Sequence, residues 1–159
     1  MNIQDEDIRK ATSIFEKDAD ELIFVLRTHL FIEGILENII KAKFSKHDVI
    51  LGKNGFQFFD KLRLVKAMGF LPKGVFGSVM ALTELRNKFA HDINYQTKIE
   101  DIKPIGELFK ERYQKIESEH TMRAKINHHD GHITYKNVIL ILTVYNLLGY
   151  MMRLEKQYV

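Results

Sequence analysis

The sequence predicts an all-α protein, a bundle of five to six helices that forms one domain over residues 1–159. Apolar residues recur at helical spacing along most of the chain. Only two prolines occur, Pro72 and Pro104, and both are placed at expected helix starts, where no backbone N–H is needed. The 159 residues are 45% hydrophobic and 28% charged, a balance typical of one soluble domain.

The first half of the chain predicts three helices. An acidic helix at about 5–16 precedes a long helix at about 19–44, which has too many apolar residues for a single stripe. We therefore expect the long helix to be the central pillar of the bundle. Residues 45–55, with their glycines, Asn and Asp, predict a loop, and a third helix at about 56–69 follows. The apolar residues of the long helix include Leu22, Leu26, Leu30, Ile35 and Ile39. Those of the third helix are Phe58, Phe59, Leu62, Val65 and Met68.

The second half predicts three more helices, at about 72–91, 101–119 and 134–156, the last with Thr134 as its N-cap. Residues 137–152 carry no charge, but this stretch is shorter than the roughly 20 residues that span a bilayer. We predict a core helix that also serves a subunit interface, and no membrane association. The expected buried faces are Val75, Val79, Leu82, Leu85 and Phe89 in the fourth helix, and Ile105, Leu108, Phe109, Tyr113 and Ile116 in the fifth.

The composition restricts the chemistry and the compartment. The chain has no cysteine, which excludes disulfides and thiolate zinc sites. Its start, MNIQDEDIRK, is acidic and polar, unlike a secretory signal. We expect a cytoplasmic protein.

Positive charge is concentrated in the middle of the sequence. Residues 41–73 contain 8 Lys or Arg against 2 Asp or Glu, whereas the whole chain has a net charge of only +3. Such a concentration of positive charge is expected of a surface that binds a polyanion. Scattered, solvated helix and loop positions are the simpler interpretation, because charge runs usually solvate a face.

The segment Leu85-Arg86-Asn87-Lys88-Phe89-Ala90-His91 ends the fourth helix and carries the candidate site. Asn87 and His91 are four residues apart and share a helix face. Arg86 diverges from His91 by about 140° at 3.6 residues per turn, but its long side chain can reach the same helix end. Leu85 and Phe89 are expected to point into the core.

Arg86, Asn87 and His91 are suited to a phosphodiester. A guanidinium binds phosphate through a fork of donors, and histidine transfers protons near neutral pH. Together they could promote attack of an RNA 2′-hydroxyl on the adjacent phosphate without a metal. This reaction needs both an acid and a base. We therefore expect a homodimer in which two copies of the motif meet and supply them. The alternative is structural, with Arg86 paired to Glu84, Asp92 or another acid and His91 capping the helix end.

The sequence also resembles a known superfamily. The segment Arg86 to His91 matches the R-x4-6-H motif of HEPN proteins (higher eukaryotes and prokaryotes nucleotide-binding). The stretches FIEGILENII at 31–40 and FDKLRLVKAMGF at 59–70 resemble the mannitol operon repressor family, as does the order of elements over roughly residues 20–105. The resemblance implies a HEPN-type up-and-down helical bundle.

The resemblance implies two classes of function. The mannitol-repressor branch is regulatory and acts through partners, and no helix-turn-helix is evident in this chain. By the fraction of chain that matches, a regulatory protein with an RNA or protein partner is the first interpretation. The alternative is a metal-independent endoribonuclease, as in many HEPN toxins and defence proteins, with Arg86 and His91 catalytic and Asn87 positioning them. Arg86 and His91 lining an open cleft, with their copies from a second chain nearby, would favour the nuclease, and salt bridges within one subunit would count against it. The expected supporting residues are Glu33, Glu37, Asp92 and Tyr95, of which Glu33 and Glu37 would orient Arg86 or His91.

Two other histidine patterns are given simpler interpretations. His128 and His132 resemble a zinc pair, but Asp130-Gly131 between them indicates a turn, so an exposed polar loop is expected. His29 is expected to be a core or interface residue. No cofactor and no metal are predicted.

Overall fold

The computed structural model describes residues 21–92, 94–109 and 135–159, and all regular structure in these ranges is helical. The predicted all-α bundle is therefore confirmed. The predicted helix at 5–16, the later part of the fifth helix at 110–119 and the Thr134 cap lie outside the described residues. The helices are α1 (Glu21–Lys43), α2 (His47–Leu51), α3 (Phe58–Ala67), α4 (Lys73–His91), α5 (Ile99–Gly106, followed by a 3₁₀ turn at Glu107–Phe109) and α6 (Tyr135–Tyr158).

Helix α1 is the central pillar, as predicted, because it packs against α2, α3, α4 and α6. Ile32, Ile35 and Ile39 are all at most 3% exposed. The predicted burial of Leu30 is wrong, since its side chain is 65% exposed. Leu30 is two residues from Ile32, which places it about 200° around the helix, on the opposite face.

Helix α4 follows its predicted pattern most closely. Pro72 occupies the N-cap position, and the five residues expected to face the core are all buried. Before it, α3 ends at a turn in which Gly69 has a φ of 79°, a left-handed conformation that favours glycine. The Gly69 N–H donates to the Lys66 carbonyl at 2.9 Å.

Two predictions of local structure are wrong. The expected loop at 45–55 contains the short helix α2, which is closed by the Gly52 N–H donating to the Asp48 carbonyl at 2.8 Å. Pro104 lies inside α5 rather than at its start, because that helix begins five residues earlier. The carboxylate of Asp101 accepts the Lys98 N–H at 2.7 Å and so starts the helix at Ile99.

Helix α6 is a core element. It packs mainly against α1 and α5, and six of its apolar residues are almost fully buried. In the described ranges no helix combines the length and hydrophobicity that a membrane span requires. The predicted core role is confirmed, and the subunit interface stays a prediction. The six residues are Leu140, Val144, Leu147, Leu148, Met151 and Leu154.

Candidate functional site

The candidate site lies on the last two turns of α4. Leu85 and Phe89 are 1% and 5% exposed and anchor these turns in the core, as predicted. Asn87 and His91 are exposed on the solvent side. The Arg86 Nη1 donates to Asn87 Oδ1 at 3.0 Å, so the guanidinium and the amide are brought together. The amide of Asn87 therefore fixes one edge of the guanidinium.

The charge of Arg86 is not neutralised within the described ranges, where no carboxylate forms an ion pair with its guanidinium. The alternative partners considered from the sequence, Glu84 and Asp92, do not bind it. Its Nε is buried and has no hydrogen-bond partner there. A half-buried cation without a counter-ion attracts anionic ligands more strongly than a solvated one, because water screens it less.

His29 on α1 lies near enough to Arg86 for the guanidinium to affect its pKa. It is 8% exposed, and its ring packs against Phe58 with 3.8 Å between ring centroids. Burial, and then the positive charge of Arg86, lower the pKa of His29, while Glu33 opposes the shift. Burial and the neighbouring guanidinium therefore both favour the neutral form of His29.

Glu33 and Glu37 bind a different cation from the one expected. Lys61 on α3 donates to Glu33 Oε1 at 2.7 Å and to Glu37 Oε1 at 2.5 Å. Burial lowers the pKa of Lys61, but the hydrogen bonds to both carboxylates outweigh burial and leave this pKa raised. The two glutamates thus fasten α1 to α3, and no hydrogen bond or ion pair joins either of them to Arg86 or His91 in the described ranges.

Asp92 and Tyr95 organise the turn that follows His91. Asp92 Oδ1 accepts the N–H of Asn94 at 2.9 Å, and the Asp92 carbonyl accepts the N–H of Tyr95 at 3.0 Å. The Tyr95 hydroxyl then donates to Asp101 Oδ2 at 2.7 Å, and its ring meets Phe89 edge to face. Both residues therefore stabilise the turn at the end of α4.

The sequence did not reveal the roles of two residues: His29, which lies near Arg86, and Lys61, which binds the expected supporting residues Glu33 and Glu37. His29, Glu33 and Glu37 are spaced at i, i+4 and i+8, which places them on one face of α1 and was a visible signal. Nothing local marks Lys61, because its burial depends on how α3 lies against α1. The prediction of His29 as a core residue is confirmed.

No metal site is formed by the side chains that the structure describes, where no three His, Asp or Glu residues come together. His128 and His132 lie outside those ranges.

The chain matches no protein-family model, no curated protein and no solved structure. The resemblance to HEPN proteins therefore stays a prediction, and the geometry of Arg86, Asn87 and His91 is the basis for assigning a function.

Proposed function

We propose that the chain is a HEPN-type endoribonuclease that cleaves RNA without a metal ion at Arg86, Asn87 and His91. The observation that carries the proposal is Arg86, whose guanidinium is held by Asn87 Oδ1 at 3.0 Å and meets no carboxylate in the described ranges. A positioned guanidinium with unused donors suits a phosphodiester, which accepts two parallel hydrogen bonds. A purely structural arginine would be expected to be ion-paired.

The reaction requires two proton transfers. A base removes the proton of the RNA 2′-hydroxyl, the 2′-oxygen attacks the adjacent phosphorus, and the bond to the 5′-oxygen breaks. An acid returns a proton to that oxygen, giving a 2′,3′-cyclic phosphate and a 5′-hydroxyl. The exposed imidazole of His91 is suited to either transfer, and Arg86 stabilises the charge that develops on the phosphate.

A homodimer supplies the second proton-transfer group that the reaction needs. Each copy contributes one exposed motif imidazole, so two copies of α4 meeting across a two-fold axis provide both an acid and a base. The monomer–dimer equilibrium of the full chain, measured by analytical ultracentrifugation, should then run in parallel with cleavage activity as the protein is diluted.

A regulatory protein that binds RNA without cleaving it is the second candidate, and one observation favours it. The exposed imidazole of the candidate site is that of His91, while His29, which is near Arg86, is only 8% exposed and has a lowered pKa. A subunit with one accessible proton-transfer group can bind the backbone at Arg86 and Asn87 but lacks the second group. Such a protein would bind RNA as its partner and would not cleave it.

The test uses end-labelled single-stranded RNA with the pure full chain in EDTA, beside DNA of the same sequence, which lacks the 2′-hydroxyl. We expect cleavage of RNA only, loss of cleavage in His91→Ala, and a large loss in Arg86→Gln. His47→Ala is the matched control, because His47 is a partly exposed histidine on α2 and should leave the rate unchanged. Binding is measured in parallel on 2′-O-methyl RNA, which cannot be cleaved.

The outcomes separate the two candidates. Tight binding of 2′-O-methyl RNA that depends on Arg86, with intact RNA after long incubation, rejects the nuclease and supports the regulatory protein. Cleavage that survives in His91→Ala also rejects the proposed site. Absence of both binding and cleavage rejects both candidates.

A further inference from the structure

Cations lie over aromatic rings at several places around α3. The guanidinium carbon of Arg63 is 4.2 Å from the centroid of the Phe59 ring, and Lys66 Nζ is 3.6 Å from that of Phe76. Lys43 Nζ is 5.6 Å from the Phe70 ring, which itself stacks on Tyr158 at 4.2 Å with 24° between the planes. These seven residues are called the α3 surface below.

The α3 surface follows one side of the helix and the turn that ends it. Phe59, Arg63 and Lys66 are spaced at i, i+4 and i+7, so they share one helix face, while Leu62 and Val65 face the core. Gly69 then turns the chain, and the Phe70 N–H donates back to the Val65 carbonyl at 3.2 Å. Lys43 from the end of α1 and Tyr158 from the end of α6 meet at this turn.

The cations of the α3 surface are available to a ligand. Lys43, Arg63 and Lys66 are all exposed, and none is ion-paired to a carboxylate in the described part of the chain. Other lysines from the same basic segment are paired, Lys61 with Glu33 and Glu37, and Lys41 with Glu37. Three of the six cations that remain in this segment, Lys43, Arg63 and Lys66, therefore lie beside aromatic rings.

We propose that the α3 surface binds the unpaired bases and phosphates of single-stranded RNA. The four rings are half-buried, and those of Phe70, Phe76 and Tyr158 pack against the core while part of each faces solvent. Aromatic rings beside unpaired cations form the surface expected for a single strand, since bases stack on the rings and phosphates bind the cations. In a duplex the base faces are already stacked and cannot reach the rings.

The N-terminal end of α3 is connected to the candidate site on α4 through His29. At the N-terminal end of α3, Phe58 contacts His29, which lies close to Arg86. The proposal rests on the proposed function for the choice of RNA as ligand and deepens it by naming single strands as the substrate class.

The experiment measures fluorescence anisotropy of a labelled 2′-O-methyl RNA, single-stranded or annealed to its complement, over a range of salt concentrations. The test variant is Lys43→Gln/Arg63→Gln/Lys66→Gln in the full chain. The control, Lys46→Gln/Lys53→Gln/Lys103→Gln, removes three exposed cations outside the α3 surface and so has the same net charge.

The test variant should weaken single-strand binding at least about tenfold, and the slope of log K against log salt should fall by about 2. The control should change affinity by less than about threefold. Tyr158→Leu, which removes one ring and no charge, should weaken binding without changing the slope, and circular dichroism checks that each variant is folded. The duplex should bind more weakly than the single strand.

Three outcomes would overturn the assignment of the α3 surface: equal losses in the test and control variants, duplex binding as tight as that of the single strand, or unchanged affinity in the test variant. If any of these occurs while the native chain still binds RNA through Arg86, only the α3 surface is rejected. If the native chain binds no RNA at all, the proposed function is rejected with it.

Discussion

Lys61 shows how one buried side chain decides which residues belong to the candidate site. Its two short hydrogen bonds hold Glu33 and Glu37 on the α1–α3 contact, although their spacing on α1 was compatible with a role beside Arg86. Hydrogen bonds to charged groups contribute about 1.5–3 kcal/mol each when partly buried. The residues that the sequence could assign, Arg86, Asn87 and His91, are close in sequence, whereas the Lys61 partners depend on the packing of two helices.

We predict that Lys61→Met lowers the free energy of unfolding by about 2 kcal/mol, because two carboxylates lose their shared cation. The loss is smaller than the sum of two such hydrogen bonds, since both carboxylates are partly exposed and regain contact with water. Urea denaturation at neutral pH measures this. Lys41→Met is the control, since Lys41 is exposed and 3.9 Å from Glu37, and a surface pair of this kind contributes at most about 1 kcal/mol. Equal effects of the two substitutions would contradict the special role of Lys61.

The lowered pKa of His29 predicts that the stability of the fold depends on pH. Burial and the charge of Arg86 lower its pKa in the folded chain, so the unfolded chain takes up this proton first on acidification. The contribution of His29 to the free energy of unfolding is fully present above about pH 6.5. It falls as the pH decreases from there to the lowered pKa. His29→Phe should flatten the change in unfolding free energy between pH about 7.5 and about 5.5. An unchanged slope in that variant would mean that His29 does not titrate in this way.

At the scale of elements, the end of α4 and the start of α5 are joined through Asp101. Its carboxylate accepts hydrogen bonds from Lys88, from the Tyr95 hydroxyl and from the Lys98 N–H. Burial raises the pKa of Asp101, but these donors outweigh burial and lower it. Asp101 therefore stabilises the fold above the pKa of an unfolded Asp, and this contribution is lost as the pH falls through the lowered value.

We expect Asp101→Asn to loosen the segment after His91 more than it affects the core. One amide oxygen cannot replace a carboxylate that accepts three hydrogen bonds, so the free energy of unfolding should fall by about 1–2 kcal/mol. Hydrogen exchange at the Tyr95 and Lys98 amides should accelerate first. Glu100→Gln changes an exposed neighbour and is the control. Protection of these amides that survives in Asp101→Asn would contradict this role.

The helices were predictable where a long apolar face governs the packing. The fourth helix was predicted at 72–91 and is observed at Lys73–His91, because its buried face repeats over about four turns. Short elements were not predictable in this way. Helix α2 has five residues and no buried one, so no apolar periodicity marks it, and the Asp101 carboxylate, not Pro104, determines the start of α5.

At the scale of the molecule, the charge-free segment of the last helix raises the question of what covers it. In the described ranges α1 and α5 pack on α6, and Val144, Leu147 and Met151 are fully buried. Apolar surface that would suit a membrane interior is here used inside the bundle. The same helix brings Tyr158 to the α3 surface, so core packing and the proposed RNA contact share one element.

Leu147→Ala tests whether α6 is an integral part of the cooperative core. Removing a fully buried leucine side chain costs about 2–5 kcal/mol, because apolar contacts are lost and a cavity is left. Thermal and urea unfolding should remain a single transition at lower stability if α6 unfolds together with α1 and α5. Leu30→Ala is the matched control, since Leu30 is 65% exposed and its truncation should change stability by less than about 0.5 kcal/mol. A separate early transition, or a cost no larger than that of Leu30→Ala, would show that α6 is not held by the core in this way.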